Sequence, residues 1–285
     1  MCGRFVFAFS KKELENISGT KSWINAEKYH TSYNVAPSTY VPIVRTFIPD
    51  QPKKEQLEVK EEPQEQDCDV LKTTFDMKRV LHVMKWGLQP FWSRNDANTA
   101  KSCINARSET LLGKSMFKIP LEAGGRGVLI ANGFYEWQNV ADEKRKSPYF
   151  VSEENGPLYM AVVYDLPKAK ANKEDQFTII TVDASPSVAW LHDRMPALLK
   201  LDQLDEWLDV KRFSLKEAIA VLKPFDGDLK VQRASPLVNS VKNDGVELIS
   251  YKRTREETNS ITHQYSIENY FSSSSRNKRS KSTKE

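Results

Sequence analysis

Apolar positions along the chain gather into short runs divided by polar turns, and the spacing inside most runs is that of strands. STYVPIVRTF, KRVLHVMKWGL, GVLIANGFYEW, SPYFVS, LYMAVVYD and QFTIITVDA are dense in β-branched and aromatic residues and predict strands. Helical spacing is rarer: residues 11–17, 202–208 and 215–222 predict helices, with a short turn at 187–191. Strands that outnumber short, scattered helices define an α+β class, a single domain of curved, mostly antiparallel β-sheet spanning residues 1–252.

Two segments break this pattern. Residues 50–72 are rich in Glu, Gln, Lys and Pro and carry few large apolar side chains, too few to offset the entropy of ordering them. They separate two predicted strands, so they read as a disordered insertion at a hairpin tip. From residue 253 onward the composition turns polar and rich in Ser, Lys and Arg, which predicts a disordered tail over 253–285.

Charge sharpens the picture. The segment 50–72 holds eight acidic residues against four lysines, so the rest of the chain carries +8 where the whole carries +4. A moderately basic body is compatible with a polyanionic partner, and equally with simple solvation. No apolar run is long enough to span a membrane, and the first residues lack the basic-then-apolar order of a secretory signal, so an intracellular protein without a membrane partner is expected. Three cysteines form no even framework. A reducing compartment and a free Cys2 thiol follow.

The chain opens MCGRF. Removal of Met1 leaves Cys2 with a free α-amine beside its thiol, a 1,2-aminothiol whose two groups titrate near roughly 8 and about 8.5. Elsewhere, SCINARSE sets Asn105 and Arg107 on one face of an extended segment. In VLIANGFYEWQ, read as one buried strand, Phe134, Glu136 and Gln138 share a face opposite Tyr135 and Trp137. An acid in such company is paired with a base, tuned for proton transfer, or solvated on an edge strand. WLHDRMP supplies His192, suited to proton transfer at neutral pH or to packing near a helix end. In KWGLQPFWSR, Trp86, Phe91 and Trp92 lie between cations, an arrangement that serves base stacking or a core.

Taken in order, MCGRF, YNVAP, WGLQPFW, INAR, GFYEW, LHDRMP and SPLVNSVKNDG closely resemble the SRAP (SOS-response-associated peptidase) family, whose members shield abasic sites in DNA. The resemblance covers residues 2–251 and implies that Cys2 crosslinks to single-stranded DNA at the lesion, its amine forming an imine with the sugar aldehyde and its thiol closing a thiazolidine. It implies further that Asn105 orients the terminus, that Glu136 and His192 shuttle protons, and that Arg4 and Arg107 hold flanking phosphates. Trp86 would stack where the duplex ends, Asn34 would support the pocket and Lys114 would supply a nearby cation. Neither metal nor cofactor is called for, and a monomer suffices. The chain departs from the family pattern at Asn132, where an acid is usual, and at the stretch LLGKSMFK, where Lys114 stands in for an Arg and cannot offer its bidentate grip.

A competing reading makes Cys2 an amino-terminal nucleophile of a peptidase, active at least in removing its own Met1; a third is a non-covalent reader of altered bases. In the tail, QYSIENYF places Gln264, Ile267, Tyr270 and Phe271 in a pattern resembling the peptide box that binds the replication sliding clamp, proliferating cell nuclear antigen. One helical turn brings Ile267, Tyr270 and Phe271 to one side as an apolar plug. With the basic stretch that follows, this predicts a nuclear protein that works at replication forks.

Overall fold

The structure, a computed structural model, describes residues 2–47, 78–90, 102–138, 146–154, 156–166 and 174–251. The acidic insertion, Phe91, Trp92 and the tail with its clamp box lie outside the described residues. In chain order the strands are β1 (Arg4–Phe7), β2 (Trp23–Ile24), β3 (Ser32–Val35), β4 (Tyr40–Thr46), β5 (Arg79–Trp86), β6 (Asn105–Arg107) and β7 (Arg126–Ala131). They continue with β8 (Gly133–Gln138), β9 (Ser147–Glu153), β10 (Leu158–Asp165), β11 (Gln176–Asp183), β12 (Arg194–Pro196) and β13 (Leu229–Arg233). The α-helices are α1 (Lys11–Ser18), α2 (Ser115–Glu122), α3 (Leu204–Leu208) and α4 (Leu215–Ala220). The class is therefore α+β, with sheet dominant and helices short.

Two sheets organise the molecule. The first runs β13-β9-β8-β1-β3, antiparallel throughout. The second runs β12-β11-β10-β7-β4-β5-β2, and a further parallel pairing of β11 with β5 bends it back on itself. The main core fills the space they enclose, from Phe5 and Phe7 through Ile43, Met84 and Phe117 to Trp207. A smaller cluster of Val6, Tyr135, Phe150, Val238 and Leu248 covers the other face of the first sheet.

Local chemistry explains several boundaries. α1 starts at a reciprocal cap, in which Ser10 accepts from the Glu13 N–H while Glu13 accepts from the Ser10 N–H, and it stops at Gly19, whose φ of 69° suits glycine. β4 pairs with β5 from Tyr40–Lys85 to Thr46–Arg79, so the acidic insertion joins adjacent antiparallel strands.

The run VLIANGFYEW is two strands rather than one. β7 belongs to the second sheet and β8 to the first, and Asn132 stands at the crossing. Its Oδ1 accepts from the Ala8 N–H at 2.7 Å and its N–H donates to the Val6 carbonyl at 3.0 Å, which ties the end of β1 to the crossing. A neutral amide meets that need, so the missing acid costs no hydrogen bond. Gly133 is required next to it, because a Cβ there would sit 2.4 Å from the Phe150 ring and 2.5 Å from the Val151 carbonyl oxygen.

Candidate active site

Cys2 lies two residues before β1, fully buried at 0 % exposure. β1 is held between β3 and β8, and the register that sets Arg4 opposite Tyr135 brings the start of the chain alongside Glu136. Glu136 shares its face of β8 with Phe134, as alternation requires, and its side chain is buried. Asn105 arrives from 103 residues away and donates through Nδ2 to the Cys2 carbonyl at 2.9 Å. Its Oδ1 is buried with no hydrogen-bond partner among the described residues.

The Cys2 thiol is pushed up well above its ordinary range, first by burial and then by the nearby Glu136 carboxylate; the positive chain terminus pulls weakly the other way. At neutral pH the thiol therefore keeps its proton, with the Glu136 carboxylate beside it.

β11 is the scaffold for the rest. On it hang β6, in parallel pairing that sets Asn105 opposite Ile179 and Arg107 opposite Thr181, and β12, in antiparallel pairing that sets Arg194 opposite Asp183. The Arg194 guanidinium, 7 % exposed, bridges them: NH1 donates to Asp183 at 2.5 Å, and NH2 donates to the Thr181 carbonyl at 2.7 Å and to Glu109 at 2.9 Å. The His192 loop is thereby tied to the strand that carries Asn105. His192 Nδ1 accepts from the Arg194 N–H at 3.0 Å and lies 2.6 Å from the Asp193 carboxylate. The two contacts call for different states of Nδ1, since a bare Nδ1 accepts from the amide and an Nδ1–H donates to the acid.

The phosphate-holding candidates divide. Arg4 is half-buried and donates through NH1 to Asn34 Oδ1 at 2.7 Å and to the Val238 carbonyl at 3.0 Å; burial lowers its pKa. Asn34 in turn donates to the carbonyls of Ser240 (3.0 Å) and Asn243 (2.8 Å), so it fastens the SPLVNSVKNDG segment over Arg4. That makes Asn34 a supporting residue. Arg107 and Lys114 are exposed, Lys114 at the start of α2.

Trp86 is a correction. It is fully buried at 0 % exposure, its ring centroid is 4.9 Å from that of Phe5, and its Nε1 donates to the Ile104 carbonyl at 2.9 Å. No base reaches it. Its indole instead braces the backbone immediately before Asn105. Lys85, its neighbour, points to the opposite face and pairs with Glu174 at 2.7 Å.

A closed second sheet and a buried Cys2 beside an amide and a carboxylate are the features by which the chain can be compared with known proteins. The chain matches the SOS response associated peptidase (SRAP) family over residues 1–241 and belongs to it. Among curated relatives, it is 30 % identical to the abasic site processing protein HMCES of Gallus gallus, covering 87 % of this chain and 77 % of that one. It is 31 % identical to the abasic site processing protein YoqW of Bacillus subtilis, covering 87 % of this chain and 99 % of the relative. An X-ray structure of a protein from Bacteroides thetaiotaomicron shares the fold, with a TM-score of 0.67 at 21 % identity over 88 % of this chain and all of that one.

Proposed function

We propose that this chain processes abasic sites in DNA by forming a thiazolidine crosslink through Cys2. The observation that carries the reading is the convergence of Asn105 and Glu136 on the amino-terminal cysteine of a chain whose relatives are named abasic site processing proteins.

The chemistry requires a free amine, so Met1 must first be removed. The amine of Cys2 adds to the aldehyde carbon of the ring-opened deoxyribose, and the resulting carbinolamine loses water to give an imine. The thiol sulfur then attacks the imine carbon, its proton passes to Glu136, and the nitrogen regains a proton as the five-membered ring closes. Amine and thiol on one residue make this closure intramolecular, with the high effective concentration that implies. A thiol held protonated favours this order, amine before sulfur. Asn105 fixes the Cys2 carbonyl, and its free Oδ1 is an acceptor for the carbinolamine hydroxyl or amine hydrogen. His192 serves the proton transfers of sugar opening and dehydration. Arg107 and Lys114 supply exposed charge for phosphates of a single strand.

Intact-protein mass spectrometry tests it. Wild-type protein incubated with abasic single-stranded DNA gains the mass of the strand less one water, in an adduct stable to heat. Cys2→Ala keeps an amine and gives at most an imine that borohydride must trap. A heat-stable adduct of unchanged yield in Cys2→Ala overturns the mechanism.

To this belongs the tail: we infer that Gln264, Ile267, Tyr270 and Phe271 bind the sliding clamp and that the protein acts in the nucleus at replication forks. The spacing of the box and the basic stretch after it support this reading.

A further inference from the structure

We propose that Trp190 is a stacking platform for the nucleobase adjacent to the abasic nucleotide, an inference that rests on the abasic-site reading above. Trp190 is 49 % exposed, two residues before His192. Its indole is not loose. Nε1 donates to the Ser187 carbonyl at 3.0 Å, and the ring meets Tyr149 edge-on, with centroids 5.1 Å apart and planes at 89°. The one polar atom of the ring is satisfied internally, so what faces outward is held apolar π-surface.

Its position points to the occupant. Tyr149 is the cross-strand partner of Glu136 on β8 and of Arg233 on β13, and directly opposed residues share a face of the sheet. Glu136, Tyr149 and Arg233 thus form one row leading away from Cys2, with Trp190 packed on its middle member. At the far end Arg233 is exposed, its guanidinium 4.8 Å from the Tyr251 ring centroid. An aromatic ring followed by a cation, starting beside the candidate proton shuttles, matches how proteins track a single strand by stacking a base and holding a phosphate. The occupant is a nucleotide of the same strand as the lesion. Stacking reads a π-face common to all bases, so the subsite carries little base preference.

The test uses the full chain with Met1 removed and abasic single strands in which the base on the 5′ or the 3′ side of the lesion is replaced by a tetrahydrofuran spacer. For wild type, the DNA concentration giving half-maximal crosslinking rate rises about tenfold for the spacer on one side and little for the other. Trp190→Ala raises that concentration about tenfold on the intact strand and no longer distinguishes the spacers, whereas Trp190→Phe recovers most of the difference. Wild type that crosslinks but ignores both spacers, or Trp190→Ala that still responds to them, overturns the stacking subsite alone. Wild type that neither binds nor crosslinks any abasic strand overturns the function on which the subsite rests.

Discussion

The mechanism proposed for Cys2 asks different things of residues in different surroundings. Glu136 is buried next to a protonated thiol, while Arg107 is exposed on β6. Proton transfer and phosphate attraction are therefore proposed for different side chains, and the two separate experimentally. Glu136→Gln should slow crosslinking by about 100-fold, the range for loss of a general acid–base group, with DNA affinity nearly unchanged. Arg107→Ala should weaken affinity and reduce its salt dependence by about one phosphate contact while leaving the rate at saturating DNA close to wild type. Fluorescence anisotropy across a salt series, set beside single-turnover crosslinking, checks both. Equal loss of affinity in the two variants would show that Glu136 belongs to binding. Trp86 teaches the complementary lesson. Nearby cations made it resemble a stacking residue, yet Lys85 lies on the opposite face of the strand and pairs with Glu174, so its charge says nothing of what the indole touches. Trp190, preceded by Ala189, carried no such signal, and only its seat on Tyr149 marks it out.

At the scale of elements, long apolar runs were legible and the shortest strands were not. β4, β5, β10 and β11 all fall within apolar stretches of the sequence, and α1 carries its cap in plain letters. β1 escaped notice because it is only four residues long, Arg4–Phe7, too short a run to stand out beside the longer apolar stretches. The break between β7 and β8 is a sheet-to-sheet crossing, signalled only by Asn-Gly. The chemical groups of the site were readable as motifs, but their convergence was not, since β11 gathers Asn105 and the His192 loop by tertiary pairing. The second sheet also holds a buried polar cluster outside the site. Arg45 Nε donates to His82 Nδ1 at 3.0 Å, so the ring proton sits on Nε2 and is donated to Asp175 at 2.9 Å. Burial alone would raise the Asp175 pKa, but the hydrogen bond from His82, with Arg45 and Asn25, outweighs it and holds the carboxyl below its ordinary value. A depressed folded-state pKa stabilises above the unfolded pKa of about 3.9, and that contribution fades as pH falls toward the folded value. Asp175→Asn should therefore cost about 2 kcal/mol at pH 7, with the gap from wild type narrowing below about pH 4. Urea unfolding at pH 7 and pH 3.5 reads this directly, and a gap independent of pH would show that the ionised carboxylate contributes nothing.

For the whole molecule, the folded body and the tail are separable in composition and are proposed to be separable in function. The described residues carry the candidate site on two sheets, whereas residues 253–285 are polar and rich in Ser, Lys and Arg. On the proposed clamp reading, the tail would bind by ordering a short stretch on the partner's surface, which lowers affinity per unit area and would leave the body unaffected. Ile267, Tyr270 and Phe271 would supply the apolar plug and Gln264 the polar contact, together placing a lesion-capturing domain beside a moving replication complex. A peptide of residues 260–285 should bind purified sliding clamp with micromolar affinity, and Tyr270→Ala with Phe271→Ala should abolish that binding. In the full chain the same double substitution should leave crosslinking to abasic strands unchanged, because neither residue belongs to the site. Calorimetry of the peptide together with crosslinking of the full-length variant decides the matter: heat of binding that survives the double substitution removes the clamp from the account, and crosslinking that falls with it shows that tail and body do not act independently.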